Sequence, residues 1–189
     1  MLKLLGAALL CAATLAQGAE VAGVKVEEAV RVAGTDLKLN GAGLRSKAFF
    51  KVYAMGLYLQ DKQAAPAAIL SAQGPKRVHM LMLRNVDADD FSGALTGGLK
   101  DNHTEAEMKA FAPRIGLLTG IMNEIKEVKT GLAIDLDWIP GIGTQVIIGG
   151  QPRGKPIAGE DFYRALLRIW LGDNPVQGDL KKSLLGQGG

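Results

Sequence analysis

LNGAGLRSKAFFKVYAMGLYL, residues 39–59, is the stretch on which the fold turns. It leads through Gly41 and Gly43 to Arg45 and, from Ala48, runs apolar and aromatic with only Lys51 to break it. Phe49, Phe50, Tyr53 and Tyr58 all fall here. A β-biased run of this kind, with Gly56 inside it, predicts one long strand kinked or bulged at the glycine. Strand alternation sets Phe49, Lys51, Tyr53, Met55, Leu57 and Leu59 on one face. Phe50, Val52, Ala54, Gly56 and Tyr58 take the other. Both faces are largely apolar, which suits a central strand covered on both sides. Carried back through Ser46 and Lys47, the same strand sets Arg45 on the face of Lys51 and Tyr53. A cation and a phenol then point into one space beside apolar walls.

Before this stretch, Glu27 to Leu39 alternates around Gly34-Thr35-Asp36 and reads as a short hairpin. After it, Ala64 to Ala72 predicts a short helix with Pro66 in the first turn, where proline is tolerated. Lys76 to Asn85 reads as a strand with Val78, Met80 and Met82 on one side and Arg77 and His79 on the other. Asp87 is a candidate N-cap for a helix to about Leu99. Thr104 and Glu107 make a capping-box pair for a second helix toward Ile125, which Pro113 should kink or split. Leu132–Trp138, Thr144–Ile148 and Lys155–Ile157 read as strands joined by glycine-rich turns. Asp135 and Asp137 alternate with apolar neighbours and are expected to face solvent. From Gly159 or Asp161 an amphipathic helix buries Phe162, Ala165, Leu166, Ile169 and Trp170. A last short helix holds Leu180, Leu184 and Leu185. Hairpins dominate the connections, so the expected class is α+β: a mainly antiparallel sheet with helices packed on one face.

Residues 1–19 stand apart. Lys3, the apolar run Leu4–Leu15 and the small residues up to Ala19 have the form of a secretory signal peptide, too short for a membrane span. Leu10 before Cys11 argues against lipidation. The mature domain is then 20–189, with no cysteine, because Cys11 is the only one. No second long hydrophobic segment follows, so no integral membrane segment remains after cleavage. The expected address is the periplasm or outside the cell. The remaining length is enough for one core without disulfides. The chain carries a formal net charge of +3, with its basic residues scattered. No basic run is long enough to track a phosphate backbone, which excludes nucleic acid as a partner.

Motifs of familiar chemistry are missing. His79 and His103 are the two histidines. With no cysteine beside them, no metal site is expected. No G-x-S-x-G elbow occurs. Gly141-x-Gly143 sits in a hairpin rather than between a strand and a helix, so it is a turn and not a dinucleotide loop. No cofactor is implied. Arg45 is left with two readings. An arginine after a glycine turn serves as a surface residue or an ion-pair partner. Alternatively, Arg45 and Tyr53 hold a carboxylate or polarise a carbonyl in an apolar cavity, since a guanidinium stays charged and donates in pairs. Composition does not choose between them.

A resemblance bears on that choice. Gly41-Ala-Gly-Leu-Arg45 followed by Phe50-Lys51-x-Tyr53-Ala54-x-Gly56-x-Tyr58-Leu59 resembles the entry strands of the chalcone isomerase family, in particular its exported bacterial members. Asp101–Glu107, Pro140–Thr144 and Gly159–Leu166 through Trp170–Asp173 are similar to that subgroup as well. The resemblance implies an antiparallel sheet with helices on one face and a ligand cleft between them. Family enzymes close a chalcone to a flavanone, with an arginine stabilising the oxyanion. Other members bind fatty acids through an arginine and a tyrosine. The arginine falls on Arg45. The isomerase threonine position falls on Tyr53, where the fatty-acid binders have their tyrosine. The isomerase tyrosine falls near His103 and the asparagine near Ala110.

The resemblance therefore implies an exported binder of a fatty acid or similar apolar carboxylate, held by Arg45 and Tyr53. Phe49, Met55, Leu57, Met80, Met82, Phe111 and Leu118 are the expected cavity wall. The alternatives are an isomerase of the intramolecular-lyase type, with Arg45, Tyr53 and His103 as catalytic candidates, and a scaffold whose cleft is filled by its own side chains.

Overall fold

The computed structural model describes residues 18–188. The signal-peptide reading rests mostly on residues 1–17, which lie outside the described residues. Ala19 begins strand β1 (Ala19–Val21), which turns through Ala22-Gly23 into β2 (Val24–Val26). The expected second hairpin is β3 (Ala29–Val32) with β4 (Thr35–Lys47), turned by Ala33 and Gly34, both at positive φ.

Residues 39–59 are not one strand. β4 ends at Lys47, Ala48-Phe49 turns the chain, and β5 (Phe50–Leu59) returns antiparallel along β4. The turn carries none of the glycine, asparagine or proline that usually marks one. Ala48 supplies the left-handed conformation itself, at φ 52°. The register shifts lie between Leu39 and Gly41 and beside Arg45, while Gly56 pairs regularly with Ala42 and His79. Its bare Cα instead lets Val26 and Tyr58 close over the sheet, since a Cβ there would meet each at 3.0 Å.

The sheet continues through β6 (Lys76–Met82), β9 (Ala133–Ile139), β10 (Gly143–Ile148) and β11 (Gln151–Ile157). Its order is β11-β10-β9-β6-β5-β4-β3, antiparallel throughout. A small pair, β7 (Val86–Asp87) with β8 (Glu127–Val128), stands beside it.

Among the described residues five helices complete the α+β fold. α1 (Pro66–Ser71) starts on its proline. α2 (Ala88–Lys100) is capped by the Asp87 carboxylate, which accepts from the Asp89 N–H. α3 (Glu105–Met122) starts on the complete Thr104–Glu107 capping box and runs as one helix through Pro113 rather than splitting there. α4 (Glu160–Leu171) and α5 (Gly178–Leu184) follow. No described helix is long and apolar enough to cross a membrane.

One core lies between sheet and helices. Met55, Leu57, Val78, Met80, Ile134 and Leu136 meet Leu99, Phe162, Ile169 and Trp170 there. Each such fully buried side chain contributes about 1.5–3 kcal/mol by leaving water. A smaller core on the opposite face gathers Val21, Val26, Leu37, Leu39 and Tyr58 under the first hairpin.

That second face corrects the reading of Asp135 and Asp137, which are buried rather than solvent-facing. Asp137 accepts two hydrogen bonds from Arg77 at 2.6 Å, and Asp135 sits 2.6 Å from His79 Nδ1. Both pairs are direct cross-strand neighbours on β6 and β9. Each charge enters the protein together with its partner.

Candidate functional site

Arg45 and Tyr53 do share one space, though not as residues of a single strand. They are direct partners across β4 and β5. Cross-strand partners present their side chains on the same face of a sheet. Tyr53 belongs to the helix-side core, so Arg45 opens toward the helices as well.

The Tyr53 hydroxyl accepts a hydrogen bond from Trp170 Nε1 at 2.9 Å. α4 brings the indole there because its buried stripe, beginning at Phe162, packs on the sheet. Burial pushes the Tyr53 phenol above its ordinary value, while the Trp170 N–H and the Arg45 guanidinium pull the other way without overcoming it. Tyr53 thus stays a neutral phenol with an O–H to donate.

Arg45 Nη1 donates to the Ser46 carbonyl and to Gln177 Oε1, the latter at 3.3 Å. Gln177, just ahead of α5, also accepts from the Ser46 N–H at 2.8 Å and donates to the Leu44 carbonyl at 3.1 Å. It stands in for a neighbouring strand along this edge of β4. Arg45 forms no ion pair among the described residues.

Both residues line a cleft of about 850 Å³ between the β4–β5 end of the sheet and α2. This size falls within the range of small-molecule pockets, about 300–1,000 Å³. Val52, Phe91, Leu95, Ile169 and Val176 supply apolar wall. Lys47 and Arg84 are further cations at the cleft, and Asp87, Asp90 and Asp101 its carboxylates.

The rest of the expected wall lies elsewhere. Phe49 is 99% exposed at the hairpin turn. Met55, Leu57, Met80, Met82, Phe111 and Leu118 pack in the helix-side core and do not line the cleft. A strand's inward face gives side-chain direction, but α4 seats on the middle of that face and leaves space only at its end.

His103 is also separate from Arg45. Its Nδ1 lies 2.9 Å from the Leu99 carbonyl, and its ring meets Phe111 edge-on at 5.4 Å. It borders a second cavity of about 630 Å³ with Glu107, Arg168 and Lys181. Ala110 lies on the exposed side of α3.

Trp170 and Gln177 are the site residues that sequence reasoning missed. Trp170 reads as an ordinary core position of an amphipathic helix, and its N–H gives no sequence signal. Gln177 lies in a break between helices, where nothing local announces a distant strand edge.

Comparison with known proteins completes the description. No curated protein matches the chain. The fold resembles the crystal structure of AtFAP1, a fatty-acid binding protein of Arabidopsis thaliana. The TM-score is 0.63 at 17% identity, over 84% of this chain and 96% of that one. At that identity the likeness is one of fold. The sequence pattern of the family described as chalcone isomerase-like matches residues 18–186. This chain belongs to the chalcone isomerase-like family.

Proposed function

We propose that the protein binds a fatty acid or a similar apolar monocarboxylate in the cleft between sheet and helices. The single observation that carries this reading is the pairing of Arg45 with Tyr53 at one end of an apolar-walled cleft. The carboxylate accepts from the Arg45 guanidinium and from the Tyr53 hydroxyl. The hydrocarbon chain runs along Phe91, Leu95 and Val176. Fatty-acid binding by a structural neighbour, AtFAP1, supports the choice of ligand class. We further propose that residues 1–19 direct export and that binding serves transport or sequestration outside the cytoplasm. The separation of His103 from Arg45 in two different cavities weighs against an isomerase that uses both.

Native mass spectrometry of the protein purified from its own cells tests this, beside Arg45→Ala. The wild type should carry an acidic lipid and the variant should lose most of it. An empty wild type, or equal lipid on both, overturns the reading. Turnover of a chalcone by the wild type but not by Arg45→Ala would replace it with the isomerase.

A further inference from the structure

The β4–β5 turn presents two adjacent aromatic side chains to solvent. Phe49 is 99% exposed and Phe50 is 57% exposed. Among the described residues the other large exposed apolar side chains stand singly: Leu117 on α3, and Ile142 at the opposite end of the sheet. Single exposed apolar residues are ordinary, but a contiguous exposed patch marks an interaction surface. Among the described residues nothing covers Phe49, so the described fold has no use for its ring. Ala48 holds a left-handed conformation to make the turn that projects it.

The surroundings of this tip say what it meets. Lys47 precedes it, Lys51 follows it, and the Arg84 guanidinium lies 4.4 Å from the Phe50 ring centroid. None of Lys47, Lys51 and Arg84 forms an ion pair among the described residues. Aromatic rings ringed by free cations suit the interface of an anionic bilayer. There the rings enter the acyl boundary while the cations meet the headgroups. The acids on the cleft lining, Asp87, Asp90 and Asp101, belong to α2 and its two caps rather than to the turn. The position of the tip adds a second argument. Lys47, Ala48, Phe50 and Arg84 all line the cleft that holds Arg45 and Tyr53. A bilayer touching the tip therefore touches the cleft mouth.

We propose that the β4–β5 turn is a membrane-docking tip that seats Phe49 and Phe50 in an anionic bilayer surface and sets the cleft mouth against it. The docking does not depend on what the cleft holds. If the cleft holds a fatty acid, as proposed above, the tip gives that ligand a route that avoids bulk water.

Flotation of the purified protein with vesicles tests this, using phosphatidylcholine alone or mixed with phosphatidylglycerol. Binding should be strong to the anionic mixture, weak to phosphatidylcholine and reduced by salt. Phe49→Ser should weaken it about tenfold or more. Lys51→Glu, which removes one cation and adds an anion, should weaken it by about fivefold or more. Neither side chain is buried, so both variants should melt with the wild type. Phe49→Trp supplies a gain-of-signal reading, because Trp138 and Trp170 are both buried. Its emission should shift to the blue on anionic vesicles only. Absence of flotation, flotation unchanged by Phe49→Ser, or an unshifted emission overturns the proposal. So does a Phe49→Ser variant whose only change is loss of self-association, since the tip then covers a second copy. The ligand reading fails on a different variant, Arg45→Ala, and by a different readout, so the two failures are distinguishable.

Discussion

Trp170 and Tyr53 join α4 to β5 by one buried hydrogen bond, 2.9 Å from indole nitrogen to phenol oxygen. The indole nitrogen has only a donor to offer, so it depends on that oxygen. Tyr53→Phe leaves the Trp170 N–H buried without a partner and should cost about 1–3 kcal/mol of stability. Because the two residues touch, Tyr53→Phe and Trp170→Phe should combine non-additively, with a coupling of about 0.5–3 kcal/mol. Urea unfolding of the two single variants and the double variant measures it. Additive losses would mean that the bond adds nothing.

Arg77 and Asp137 should behave as a unit. Their side chains are 16% and 5% exposed and are joined by two bonds. Asp137→Ala strands the Arg77 charge and should cost about 3–5 kcal/mol. Replacing both with apolar residues, as in Arg77→Met with Asp137→Leu, should cost much less. Denaturant midpoints decide it, and a double variant worse than Asp137→Ala would refute the argument.

Gly41 should not tolerate a methyl group. A Cβ there would collide with the Ser183 carbonyl and come within 2.8 Å of the Leu184 backbone. Backbone cannot swing aside as a side-chain tip can. Gly41→Ala should lift α5 from β4 and destabilise by about 1–3 kcal/mol. Gly93→Ala, at an open helical position, should not destabilise. Hydrogen exchange in α5 separates local lifting from general loss.

Acid should weaken the helix starts. The Thr104 N–H and hydroxyl hold the Glu107 carboxyl below its ordinary value of 4.5, and Arg114 holds Asp161 below 3.8. A carboxylate lowered in the folded state adds stability above its unfolded pKa and loses it as pH falls through its folded pKa. Stability should therefore decline below about pH 4.5, and Glu107→Gln should make that decline shallower. Thermal melts from neutral pH downward check both. An unchanged slope in Glu107→Gln would show that the capping box contributes nothing to it.

What the sequence disclosed divides along physical lines. The Asp87 cap, the Thr104–Glu107 box and the buried stripe of α4 were legible because each is written in residues within one or two helical turns. The Ala48-Phe49 turn was not, since neither residue type prefers it and only the pairing of β4 with β5 imposes it. Arg45 and Tyr53 were chosen correctly as neighbours for the wrong reason: cross-strand pairing brings them together, not alternation along one strand. Asp135 and Asp137 show the opposite limit. Alternation placed them on the correct face, but their burial depends on Arg77 and His79, some 60 and 56 residues away.

The strap of α5 over β4 has a consequence for how the chain is made. Asn40 closes on the Leu184 carbonyl at a sequence separation of 144, and Gln177 holds Leu44 and Ser46 from nearly as far. Contacts of such separation form late and slow folding. As the chain leaves the ribosome, the arginine side of β4 waits uncovered until the final helix has been synthesised. A nascent chain stopped at Gly172 has its sheet and four of the five described helices but no cover for that edge. The interval between those two points is when a chaperone would find most to hold.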